Sequence, residues 1–205
     1  MNRDKGPGIV VRTVQLAGKP DIRLEPPENV DPRELYQLVN GQRPYLKKWL
    51  SWVDMILSEE QARRLLEDAR RFNLGGQQFI YFIFIETPDA SSHAYLAGSI
   101  AFNRIDRHNQ SAQMGYWLRH ELQGKGIILN TAKHLITIGF RAFKLNRIEI
   151  RTEKNNLRSQ AVARKLGFTR EGVLRKALRH QNGFEDLLLF GLLQEEWDFD
   201  KKNRK

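Results

Sequence analysis

The 205-residue chain carries 34 Lys and Arg against 24 Asp and Glu, a formal charge of +10, so its field favours polyanionic or acidic partners. It has no cysteine, which excludes disulfides, a thiolate metal site and a cysteine nucleophile. No run of about eighteen apolar residues occurs, so neither a membrane-spanning helix nor a membrane partner is expected. The opening Met1-Asn2-Arg3-Asp4-Lys5-Gly6-Pro7 lacks the apolar core of a secretory signal, and the expected compartment is the cytoplasm.

Residues 9–16 are rich in β-branched side chains. With Ala17-Gly18-Lys19-Pro20 as a turn and Ile22-Arg23-Leu24 returning, they predict a hairpin. Asp31 before Pro32 marks a helix start. That helical stretch is expected to run irregularly to about Val53, interrupted near Gly41 and Pro44. Ser58-Glu59-Glu60-Gln61 reads as a capping box for a second helix over residues 59–72. The unbroken apolar run Phe79-Ile80-Tyr81-Phe82-Ile83-Phe84-Ile85 predicts a buried strand. Leu96, Gly98, Ile100 and Phe102 alternate with Ala97, Ser99, Ala101 and Asn103 in the next strand, and Met114-Gly115-Tyr116-Trp117-Leu118 forms a third. Turn-rich connections at 87–94 and 106–110 predict that the three pair as antiparallel neighbours.

After the third strand comes Gln123-Gly124-Lys125-Gly126-Ile127-Ile128. Ile128, Ala132, Leu135, Ile136, Gly139, Phe140 and Phe143 then fall along one helical face. A strand feeding a glycine loop and a helix start can hold phosphate: the first helical N–H groups lack internal partners, and glycine lets an anion come close. The same residues also suit a tight turn with a solvated lysine. The loop is neither a dinucleotide fingerprint, which needs a third glycine, nor a Walker loop, which needs Ser or Thr where Gly126 stands.

Beyond the helix, Ile148 and Ile150 alternate with Arg147, Glu149 and Arg151 in a strand with one wet face. Asn156 caps a short helix over 157–166, closed by Gly167. Residues 172–179 and 184–193 flank Asn182-Gly183, a strong hairpin signal. His93, His108, His134 and His180 show no ligand spacing, so no metal is expected. The basic residues are scattered apart from the tail Lys201-Lys202-Asn203-Arg204-Lys205, so charge alone speaks for nucleic acid.

Gly115-Tyr116-Trp117-Leu118 followed by Gln123-Gly124-Lys125-Gly126-Ile127-Ile128 resembles the acetyl-CoA-binding segment of the GNAT N-acetyltransferases, and more narrowly their ribosomal-protein (RimJ/RimL) branch. The superfamily pattern is Gln or Arg, two residues, Gly, one residue, then Gly or Ala. Gln123 and Gly126 fit it, while Ile128 replaces the final small residue. The similarity covers roughly residues 22–197. It implies an α+β fold: a mixed, mostly antiparallel sheet with a splayed strand pair and helices on both faces. The expected domain spans 21–198, after a 1–20 extension that can add a strand and before a basic 199–205 tail.

The resemblance also implies site residues. The strand ending at Trp117 and Leu118 splays from the strand at 147–152, and pantetheine enters the gap between them. Backbone groups near Trp117 and Leu118 hold its amides and polarise the thioester, while N–H groups of Gly124, Lys125, Gly126, Ile127 and Ile128 hold the pyrophosphate. Asn156-Leu157-Arg158-Ser159 resembles a second family signature, in which Asn156 contacts the cofactor and Ser159 donates a hydrogen bond to the departing sulfur. Read alone, Asn156 and Ser159 are also good helix-start chemistry. Trp49 and Trp52 resemble the segment walling the acceptor groove, and at helical spacing they also suit a core.

The general base is open. Many relatives carry a glutamate where this chain has Gln113, which cannot take a proton. His120, Glu121 or water remain as alternatives. The leading expectation is acetyl-CoA-dependent acetylation of a primary amine, with an acidic protein N-terminus, of ribosomal-protein type, as acceptor. Alternatives are a small amine or amine-bearing antibiotic, or a non-catalytic acyl-CoA-binding regulatory module. Monomer and homodimer are both open.

Overall fold

The computed structural model describes residues 13–16, 21–86, 94–180 and 183–198. Its strands are β1 (Val14–Leu16), β2 (Ile22–Glu25), β3 (Phe79–Ile85), β4 (Tyr95–Asp106), β5 (Ser111–Leu118), β6 (Arg147–Glu153), β7 (Thr169–His180) and β8 (Gly183–Leu193). Helices α1 (Pro32–Leu46) and α2 (Glu59–Leu74) lie between β2 and β3, α3 (Ile127–Arg141) between β5 and β6, and α4 (Leu157–Leu166) between β6 and β7. The strands form one sheet in the order β1-β2-β3-β4-β5-β6-β8-β7. Among these described strands, every neighbouring pair is antiparallel except β5–β6, which is parallel.

Helices cover both faces of this sheet, which explains the unbroken apolar run of β3. Tyr81, Ile83 and Ile85 pack into a core with α3 and α4, while Phe82 and Phe84 pack into a second core with α1 and α2. A strand buried on both sides loses the usual polar alternation. The α3 face predicted from spacing is the buried one: Ala132, Leu135, Ile136, Gly139 and Phe140 are all inside.

Local chemistry sets the helix ends. Asp31 accepts from the Arg33 N–H at 2.8 Å and starts α1. Ser58 accepts from the Gln61 N–H at 3.3 Å to start α2, while the Gln61 side chain caps the Leu57 N–H instead of closing the box on Ser58. The expected break near Gly41 and Pro44 does not occur, and α1 runs through both to Leu46. Pro44 stands in the last turn, where it removes one helical donor, and buried Leu35, Leu38, Val39 and Leu46 hold the helix by packing. The chain then passes through a short 3-10 helix, Ser51–Met55.

The predicted first hairpin is present as β1 against β2, with Val14 opposite Leu24. Its residues 9–12 and its turn lie outside the described residues, as do residue 182 of the second hairpin turn and the basic tail. β7 and β8 pair around that turn, with His180 opposite Gly183.

Candidate active site

β5 and β6 pair from Ser111 opposite Arg147 to Met114 opposite Ile150, and no further. Beyond that point β5 stays with β4, ending with Leu118 opposite Gly98, while β6 stays with β8, ending with Glu153 opposite Leu187. The two strands therefore open a wedge at residues 115–118. Arg119 holds its β5 side: its N–H donates to the Ala97 carbonyl at 2.8 Å and its Nε to the Leu96 carbonyl at 2.7 Å. Ala97 is the extra residue of a bulge, since Leu96 opposes Phe84 and Gly98 opposes Ile83. Because N–H groups alternate along a strand, the Leu118 N–H turns away from β4 and into the wedge.

Gly98 makes this close approach feasible. A Cβ there would lie 2.2 Å from the Trp117 carbonyl oxygen and 2.9 Å from the Leu118 Cα. These are backbone atoms and cannot swing aside. Gly98→Ala is therefore expected to destabilise the protein by about 1–3 kcal/mol and to weaken cofactor binding at the displaced strand. Urea unfolding and calorimetry read the two effects, and an alanine variant with unchanged affinity would show that the Trp117 carbonyl can move freely.

The wedge has two chemically different sides, set by the parity of β5. Tyr116 packs with the α3 and α4 core, and Trp117 with the α1 and α2 core. On the α4 side, the Tyr116 hydroxyl stands 2.9 Å from Ser159 Oγ and 3.3 Å from the Ser159 carbonyl. Burial pushes the Tyr116 pKa up to about 12, with the Ser159 hydrogen bond opposing the shift in part. The start of α4 is pinned twice. Asn156 Oδ1 accepts from the Ser159 N–H at 3.1 Å, and the buried Gln160 amide donates to the Lys154 carbonyl at 2.7 Å.

On the opposite side, Gln113, Gly115 and Trp117 form part of the floor. Trp117 meets Trp52 with ring centroids 5.6 Å apart. Trp49 lines the same cleft, which has a volume of about 1360 Å³ and continues through the wedge to Ser159. Arg43 braces the Trp49–Trp52 segment by donating to the Val53 carbonyl at 2.6 Å. Asn103, the extra residue of a second β4 bulge, lays its amide over Gly115.

The glycine loop forms the far end of the cleft. Gly124 and Gly126 have φ of +79° and +78°, a backbone region that L side chains rarely adopt. Gly126 is the N-cap of α3, and no side chain caps the helix there. The N–H groups of Ile127 and Ile128 thus have no helical acceptor. Nothing lies within 4 Å of where a Cβ would stand on either glycine, so this backbone is open. Lys125 is exposed beside it. Gln123 ties the loop to two helices, donating to the Tyr45 hydroxyl and accepting from Arg158. The arrangement presents amide donors and two cations, a setting for a phosphate-bearing ligand.

His120 lines the cleft with its ring edge against Tyr45 at 4.8 Å, and its backbone N–H donates to Gln42 at 3.2 Å. Glu121 accepts from the Gln42 amide at 3.1 Å and pairs with Arg119 at 3.6 Å; it is not part of the cleft lining. Among the described residues no cluster of three or more His, Asp or Glu side chains could hold a metal. Three residues that the sequence did not single out stand in the site: Tyr116, Asn103 and Arg158. Strand parity could have placed Tyr116 opposite Trp117. The bulge that aims Asn103 leaves no sequence signal.

A family model described as an acetyltransferase (GNAT) domain matches residues 21–169. The chain is 29% identical over 181 residues to a ribosomal-protein-serine acetyltransferase of Escherichia coli K12, covering 88% of this chain and 96% of the relative. Among solved structures it resembles the microcin C7 self-immunity acetyltransferase MccE in complex with acetyl-CoA and AMP. There the TM-score is 0.76 at 30% identity, over 84% of this chain and 92% of the other. It also resembles RimL, a ribosomal L7/L12 α-N-protein acetyltransferase in complex with coenzyme A. That match has a TM-score of 0.75 at 27% identity, over 86% of this chain and 96% of the other. The splayed sheet is thus shared with proteins solved holding acetyl-CoA or CoA, and this chain belongs to the GNAT acetyltransferase family as an acetyl-CoA-dependent N-acetyltransferase.

Proposed function

We propose that the enzyme acetylates the α-amine of a protein N-terminus, and that its preferred acceptor is acidic. The observation carrying this reading is the acceptor side of the wedge, where tryptophans form walls and the floor holds Gln113, at the position where the family resemblance implies a glutamate. An amide cannot deprotonate a strongly basic amine. An α-amine, with a pKa of about 7.7–8.0, supplies an uncharged fraction near neutral pH, whereas a lysine at about 10.4 stays charged. The E. coli and RimL relatives, named for ribosomal-protein and α-N-protein acetylation, support the same choice.

In this reading each residue has a task. The N–H groups of Gly124, Lys125, Gly126, Ile127 and Ile128 bind the pyrophosphate, with Lys125 and Arg158 adding charge. Asn156 and Gln123 hold the walls of the cofactor channel in place. The Leu118 N–H, turned into the wedge, donates to the thioester carbonyl oxygen as negative charge develops there. Trp49, Trp52 and Trp117 exclude water from the amine. The amine attacks, its proton passes to water with His120 on the cleft rim as relay, and the C–S bond breaks. Ser159 Oγ–H stabilises the thiolate that leaves. Glu121, already held by Gln42 and Arg119, orders the turn that carries His120.

The test is intact-mass measurement of acidic and basic proteins with free N-termini, and of small amines, after incubation with acetyl-CoA. For an acidic acceptor, kcat/KM is expected to fall several-fold between low and physiological salt, because opposite charges steer within about 8–10 Å of screening length. The same test separates a second reading, an amine-bearing antibiotic as acceptor, which the resemblance to the self-immunity acetyltransferase MccE brings into the comparison. Efficient, salt-insensitive acetylation of such a small amine, with none on protein N-termini, would establish that reading in place of the first.

A further inference from the structure

The Tyr116–Ser159 hydroxyl pair carries a step beyond the roles above, and it rests on the reading of Ser159 as the thiolate donor. We infer that Tyr116 is a positioning residue that orients the Ser159 hydroxyl so that its proton faces the departing sulfur.

A serine hydroxyl has one proton and a free rotor, so its direction is set by its neighbours. Ser159 is held at both ends. Its backbone N–H donates to Asn156 Oδ1 at 3.1 Å, and its Oγ lies 2.9 Å from the Tyr116 hydroxyl. The Tyr116 hydroxyl also has one proton, and two acceptors within reach: Ser159 Oγ at 2.9 Å and the Ser159 carbonyl at 3.3 Å. The shorter contact takes the tyrosine proton. Ser159 Oγ then accepts from Tyr116, and its own proton is left to point into the wedge. With its pKa near 12, Tyr116 stays protonated across the working range and remains a donor at every relevant pH.

The reverse arrangement, Ser159 donating to Tyr116, would leave the sulfur without a donor. A negative sulfur in the wedge selects the first arrangement, and the tyrosine proton makes it available in advance. No proton needs to leave either hydroxyl. The C–S bond breaks, its electron pair stays on sulfur, the amine proton goes to water, and Ser159 and Tyr116 end as they began. The placement on β5 also fits: Tyr116 reaches the α4 side from the same strand whose Leu118 N–H faces the thioester. One strand thus addresses both the oxygen and the sulfur of the reacting group.

The variant that isolates this role is Tyr116→Phe, which keeps the buried ring and removes the hydroxyl. Expected is a fall in kcat of roughly five- to tenfold, the worth of one neutral hydrogen bond, with KM for acetyl-CoA unchanged. In a Ser159→Ala background the same change should have no further effect on kcat. Losses that multiply in the double variant, or a full kcat in Tyr116→Phe, overturn the inference. A second readout needs no acceptor: ultraviolet titration of the thiol of CoA bound to the protein. Removing the oriented donor should raise that thiol pKa by about half to one unit relative to wild type. Bound CoA whose thiol is indifferent to Tyr116→Phe overturns this inference alone, whereas a wild-type chain that binds no CoA overturns the assignment of the whole site.

Discussion

In a Gly126→Val protein the affinity for acetyl-CoA is expected to fall by about 100-fold or more, with the fold intact. Two effects act together. The backbone at residue 126 has φ of +78°, where a β-branched side chain is strained by about 1–3 kcal/mol. The valine would also stand in the open space over the loop, where nothing now lies within 4 Å of a Cβ. Losing two charge-assisted hydrogen bonds to pyrophosphate, each worth about 1.5 kcal/mol, accounts for the predicted loss. The strain is confined to the loop, because Ile127 and the rest of the buried α3 face keep their packing. Calorimetry of the folded variant decides the matter, and wild-type affinity would remove the glycine loop from the cofactor site.

Ser159→Ala is expected to lower kcat by roughly 10²–10³-fold, the usual effect of deleting one donor aimed at developing charge. Cofactor affinity and stability should change little, and the structure explains why the two readouts separate. Asn156 caps α4 through the backbone N–H of residue 159, which alanine retains. Tyr116 loses one partner but keeps the residue-159 carbonyl at 3.3 Å, so its buried hydroxyl is not orphaned. Steady-state kinetics beside thermal unfolding checks both halves. Wild-type turnover in the alanine variant would reduce Ser159 to a residue of the helix start.

Much of the frame was legible from local chemistry. The Asn156 cap and the Gly167 close of α4 rest on interactions within a few residues, and the structure keeps those boundaries. The run over β3 was legible because burial on both faces leaves it apolar throughout. The Gly124 and Gly126 loop was legible locally as well: its conformation is written in residues that readily tolerate positive φ. The α1 boundary was not. Gly41 and Pro44 are local breakers, but the helix is held by burial against α2 and the sheet, which neighbours in sequence do not report. Wherever a long-range contact outweighs a local preference, reading residue by residue points the wrong way.

The sequence by itself determined which elements form, where the positive-φ glycine loop stands ahead of α3, and that residue 113 on β5 is a glutamine, a side chain that cannot take a proton. Only the tertiary structure decided how these parts face one another. The wedge exists because Arg119 and the Ala97 bulge hold β5 to β4 while β6 follows β8, a competition between strands far apart in the chain. That wedge turns neighbouring residues to opposite chemistry, Tyr116 to Ser159 and Trp117 to Trp52. A period of two along a strand is visible in any sequence, but what each face meets depends on which helices cover it, and that is settled by packing.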